Sequence, residues 1–140
     1  MKYNELIQLY FERSNALQAY WTLYVVILGG LLAFSSLRKQ PAALTTALVT
    51  LLFALFAFKN LDAIHDVTVQ RFAVLQTIKQ SDATTSSEIQ QLRATVEPTL
   101  IPASFASVKA THLSADLLTI LALWAMEYRR RKHGTSLAPA

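Results

Sequence analysis

The sequence predicts an all-α fold: an integral-membrane three-helix bundle whose long first and second helices project as an antiparallel hairpin outside the bilayer. Three observations carry this expectation. Residues 42–58, AALTTALVTLLFALFAF, hold no charge, glycine or proline over about the length a helix needs to cross a hydrocarbon core. Two further apolar stretches lie on either side of it. The segments that flank the first two stretches, 2–19 and 59–80, keep a helical period with no breaker.

Composition agrees. Charged residues are 16% of the 140, against roughly 25% in ordinary soluble domains, which fits one small bundle with polar ends. No cysteine is present, which excludes a disulfide, a thiolate nucleophile and a Cys-based metal site. The net charge of +4 gathers at Arg38-Lys39 and at residues 129–132, both beside apolar stretches. Charge placed there reads as membrane topology and not as a nucleic-acid surface.

Residues 1–19 are expected outside the bilayer as an amphipathic helix. Tyr3, Leu6, Tyr10, Leu17, Tyr20 and Tyr24 recur at three- and four-residue steps, interrupted at Arg13, as in the seam of a helix packed on another helix. The first span, about 20–37, opens with Tyr20, Trp21 and Tyr24, which resemble an interfacial aromatic belt. A cleaved signal peptide is the weaker alternative, because acidic and polar residues precede the apolar run. The connection SSLRKQ and Pro41 are short, which makes the first two spans antiparallel neighbours.

The second span, about 41–58, continues through residue 80 with a stripe of Leu61, Ile64, Thr68, Phe72, Leu75 and Ile78 or Lys79. Folding back about the connection sets Tyr3 level with Leu75 and Leu6 level with Phe72. Residues 81–87 form a polar loop, and Ser87 with Gln90 is a candidate capping box for a short helix to residue 96. Pro98 and Pro102 bracket an extended return. The third span, about 108–128, is the least hydrophobic and ends on Trp124, Tyr128 and the basic residues 129–132. Residues 1–132 thus make one domain, with 59–107 outside the bilayer and 133–140 a disordered tail. The positive-inside rule puts the N-terminus in the periplasm and the C-terminus in the cytoplasm of a bacterial inner membrane.

Helices in lipid approach through small residues, here Gly29 and Ala33 on the first span, Thr46, Thr50 and Ala54 on the second, and Ala115 and Thr119 on the third. Packing within the chain is the default use of these faces, and self-association the sharper one. Asp116 is the most informative polar residue: inside an apolar span an ionisable group must face protein or water, and His112 lies one turn earlier. Counting from the cytoplasmic ends sets His112 near Tyr20 and Phe58, and Asp116 near Tyr24 and Phe53.

Asp62, His65 and Asp66 lie just beyond the second span, where Glu12 and His112 approach the same level; these are weak metal candidates, and no complete ligand motif is present. No cofactor and no catalytic residue is expected, since phosphate loops and nucleophile elbows are absent. Glu127 with Arg130 or Arg131 reads as a surface ion pair, and residues 129–132 as an anchor that anionic headgroups could also contact.

The topology of three spans, outer N-terminus and basic inner tail resembles that of one class of phage holins, a likeness that transfers no functional residue. The expected function is a non-enzymatic accessory or assembly subunit of a membrane complex, in contact with lipid and with other subunits or copies of itself. The alternatives are a homo-oligomeric pore or proton conductor lined by Asp116 and His112, and a membrane metal-binding protein.

Overall fold

A computed structural model describes residues 3–80 and 87–135. Among them the chain is all-α: α1 (Tyr3–Leu37), α2 (Ala43–Gln80), α3 (Ser87–Val96), a 3-10 turn (Glu97–Thr99) and α4 (Phe105–Thr135). By length and composition, α1 and α2 are long and apolar enough to cross a membrane. α4, the expected third span, forms a helix that starts earlier and ends later than 108–128, yet it does not reach the apolarity of the other two.

α1 and α2 are antiparallel partners joined by five residues, 38–42. The buried residues of α2 include Thr46, Phe53, Ala57, Asn60, Ile64, Val67, Leu75 and Ile78. Taken through Thr68, which is also buried, their steps of three, four and seven are those of a knobs-into-holes seam. Opposite them α1 buries Leu6, Tyr10, Tyr24 and Ser35. Gly29 and Gly30 do not interrupt α1, because neither needs a positive φ and the helix simply continues through them.

Two apolar clusters divide the hairpin. At the tip, Leu6, Tyr10, Leu75 and Ile78 close around Leu100, so the return segment after α3 folds back onto the seam. Lower down, Tyr24, Phe53 and Ala57 pack with Trp21, Phe56, Ala115 and Ile120, which is where α4 joins.

Three expectations are corrected. Tyr10 meets Arg71 and Tyr20 meets Asn60, so the fold-back is centred near Gln40, slightly later than the pairing of Leu6 with Phe72 requires. Phe72 is then displaced outward and is 40% exposed. Its place on the seam goes to Arg71, whose Nη2 donates to the Tyr10 hydroxyl at 2.9 Å while its guanidinium lies 5.0 Å over the Tyr10 ring. Second, residues 133–135 of the expected disordered tail are helical; the remainder of the tail, and most of the expected loop at 81–87, fall outside the described residues.

The third correction concerns Gly29 and Ala33. Both are exposed, and a Cβ built on Gly29 meets nothing within 4 Å. That face of α1 packs on neither α2 nor α4.

Candidate functional site

The buried face of α4 holds His112, Asp116, Thr119, Leu123 and Glu127 at steps of three and four. It presents two polar levels to the hairpin.

The first level centres on His112, which is 0% exposed. Asn60 of α2 donates from Nδ2 to the Tyr20 carbonyl at 3.2 Å. A carbonyl can only accept, so this bond fixes the amide and turns Asn60 Oδ1 toward His112 Nε2, 3.2 Å away. Nε2 must therefore carry a hydrogen. The other ring nitrogen, Nδ1, lies 2.9 Å from Asp116 Oδ2. Tyr24 donates its hydroxyl to Asp116 Oδ1 at 2.7 Å. A hydrogen bond between Nδ1 and Oδ2 then requires one proton between them, and the pair is net neutral whichever atom holds it. Tyr24 and Trp21 complete the enclosure, their rings 4.1 Å and 5.7 Å from the imidazole. Asp116 keeps 15% of its side chain exposed and is the polar member of a groove lined by Phe53, Ala57, Phe58 and Leu113.

The second level centres on Glu127. The expected surface ion pair is instead a buried carboxylate, 1% exposed, at the closed end of the hairpin. Thr46 donates to Oε2 at 3.1 Å, Arg130 Nη2 to Oε2 at 3.2 Å and Arg131 Nε to Oε1 at 3.3 Å. Arg38 approaches Oε2 at 3.8 Å. It also donates to Thr46 Oγ1 and to the Ala42 carbonyl, both at 3.2 Å. Arg130 donates at 2.6 Å to the Ser35 carbonyl. One carboxylate therefore ties α4 to the C-terminal end of α1, the connection and the start of α2. Burial is compensated by hydrogen bonds to the carboxylate from Thr46, Arg130 and Arg131, with Arg38 adding an ion-pair contact.

The weak metal candidates do not converge. Asp62 pairs with Lys59 at 3.7 Å. His65 lies 3.4 Å from Asp66 and edge-on to Phe105 at 4.6 Å. Glu12 accepts from Gln8 on its own helix. Among the described residues, no three His, Cys, Asp or Glu side chains come together as a metal site. Of the small-residue candidates, Thr46 and Thr119 are buried, Thr50 and Ala115 are half-buried, and Ala54 is exposed with Gly29 and Ala33.

Asn60 and the buried state of Glu127 are the residues that sequence reasoning missed. Both were signalled. Asn60 continues the seam Phe53, Ala57, Asn60, Ile64, and Glu127 continues the stripe that already contains His112 and Asp116. Comparison with protein-family models, curated proteins and solved structures returns no match.

Proposed function

We propose that this chain is a three-span membrane protein acting as a non-enzymatic subunit, held among other membrane proteins by the outer face of its helices and by its projecting hairpin. The observation that carries the proposal is the inversion of polarity across the bundle. Asn60, His112, Asp116 and Glu127 turn inward, while Leu23, Val25, Phe34, Leu48, Leu52, Leu55, Leu117 and Leu121 face out. Lipid accepts such an outer shell, and buried polar groups that satisfy one another are what it demands. The outer face of α1 at Gly29, Gly30 and Ala33 supplies close-approach residues that this chain leaves unused. An inner membrane orientation with the basic ends in the cytoplasm follows from Arg38, Lys39 and residues 129–132.

The test is a mild-detergent pull-down of the tagged chain with native mass of the eluate, repeated with Gly29→Leu. A defined set of other membrane proteins is expected with the wild type and should be lost from the variant. The melting temperature of the isolated chain should not move, because no atom lies near that Cβ. A pure homo-oligomer would sink the subunit reading.

A second reading is favoured by one observation, the 2.9 Å contact of His112 Nδ1 with Asp116 Oδ2 beside the groove. In a homo-oligomer such a pair is a proton relay. Proteoliposomes holding the chain alone would then show proton flux that Asp116→Asn abolishes.

A further inference from the structure

We infer that the closed end of the hairpin is a phosphate-binding pocket, and that its occupant is the headgroup of an anionic lipid. A cleft of about 600 Å³ opens there, lined by Arg38, Lys39, Arg129, Arg130, His133 and Met126. Among the described residues the lining contains no carboxylate. The adjoining sequence, residues 35–42 and 126–135, carries Arg38, Lys39, Arg129, Arg130, Arg131 and Lys132 against one acid, Glu127.

That one acid is already committed beneath the cleft. Its four polar approaches hold Arg38 and Arg130 in place from the inside. Arg130 is 10% exposed and its Nε is buried with no hydrogen-bond partner. Arg38 is likewise mostly buried, fixed by hydrogen bonds to Thr46 and Ala42 and by its ion pair with Glu127. The cleft therefore has positioned guanidinium groups along its wall, with the exposed Lys39 and Arg129 at its mouth. The planar guanidinium of the exposed Arg129 matches the oxygens of a phosphate, Arg38 and Arg130 add fixed positive charge behind it, and the excess of cations over carboxylates here is what a phosphate would neutralise.

The lipid source is argued from what borders the cleft. Leu37 and Leu44, on either side of the connection, are 79% and 74% exposed. Apolar side chains beside a basic cleft at the end of two apolar helices suit a molecule with a phosphate and hydrocarbon chains. This source rests on the membrane reading above; the phosphate chemistry does not.

The full chain is to be delipidated in detergent and mixed with phosphatidylglycerol, with phosphatidylcholine, and separately with inorganic phosphate. Native mass spectrometry counts bound lipid, and thermal unfolding reports protection. Saturable retention of phosphatidylglycerol over phosphatidylcholine is expected. The pair Lys39→Gln with Arg129→Gln should weaken it about tenfold, and the control pair Lys59→Gln with Lys109→Gln should leave it unchanged. Protection by inorganic phosphate that the first pair abolishes, with no preference between lipids, keeps the pocket and assigns it a soluble phosphate. Retention unchanged by the first pair, equal loss in the control pair, or no effect of any anion overturns the proposal. Resistance of the chain to alkaline carbonate extraction from membranes is scored separately, so that failure of the membrane reading is told apart from failure of the pocket.

Discussion

Tyr24 donates its hydroxyl to Asp116 at 2.7 Å across the α1–α4 contact. The bond joins helices far apart in sequence and leaves the other carboxylate oxygen for His112. Removing the donor alone, with Tyr24→Phe, should destabilise the bundle by about 1 kcal/mol, the scale of an interhelical hydrogen bond in a membrane protein. Asp116→Leu deletes both bonds and strands Nδ1 of a buried imidazole, so it should cost clearly more. Reversible unfolding in detergent measures both, and equal effects would mean that His112 does not depend on Asp116.

Glu127→Gln should be the most damaging single substitution of a polar residue. It removes the charge that Arg38, Arg130 and Arg131 approach while leaving the guanidinium groups where they are. Breaking a buried ion pair from one side costs about 3–5 kcal/mol. A variant with an unchanged unfolding midpoint would show that solvent already screens the site.

Relative topology can be read with single cysteines, since the chain has none of its own. Gln40→Cys and His133→Cys should label from one side of a sealed membrane vesicle with an impermeant maleimide, and Gln76→Cys only from the other. All three positions are exposed. Labelling of positions 40 and 133 from opposite sides would rule out α4 as a span.

The tip of the hairpin should loosen at alkaline pH. Burial pushes the Tyr3 phenol above its ordinary value of 10.0, and the nearby Glu97 carboxylate, 3.4 Å from the hydroxyl, pushes the same way. The folded state thus favours the neutral phenol. The stability this lends is complete below the ordinary value and is lost as pH rises through the folded one. Denaturant midpoints followed from pH 9 to about pH 12 should fall less steeply for Tyr3→Phe than for the wild type. Parallel curves would remove Tyr3 from the account.

The helical elements were legible because apolar periodicity and the lack of breakers act locally. Proline at residue 41 and the polar connection set the turn, and most of the two long seams followed from spacing. The level of Asp116 against Tyr24 was also readable, since three rods of known rise must align at their basic ends. What stayed hidden is the azimuth of each helix. A charge beside a membrane boundary can face water or turn inward, and only the α4 stripe shared with Leu123 turns Glu127 inward. Phe72 shows the same limit. A shift of the fold-back by about one residue replaced it with Arg71, because a cation stacked on Tyr10 fills a seam position that hydrophobicity alone would have assigned to the phenyl ring. Gly29 shows a third limit: a small residue signals that close approach is permitted, not which neighbour makes it.

The placement of His112, Asp116 and Glu127 together on α4 bears on how the protein is made. His112, Asp116 and Glu127 find their partners on Tyr24, Asn60, Thr46 and Arg38, which the ribosome delivers first. On the three-span reading proposed above, a lone α4 would keep its internal His112–Asp116 and Glu127–Arg130 pairs but lose the bonds to Tyr24, Asn60 and Thr46, and an aspartate at mid-membrane costs about 2.5–3.5 kcal/mol on an insertion scale. On that reading the α1–α2 hairpin is a host that can wait in the bilayer, and α4 is a guest that settles best when the host is present. Chain order is then also the order of insertion, and a chain whose hairpin fails to fold would be left with a last helix that the membrane does not keep.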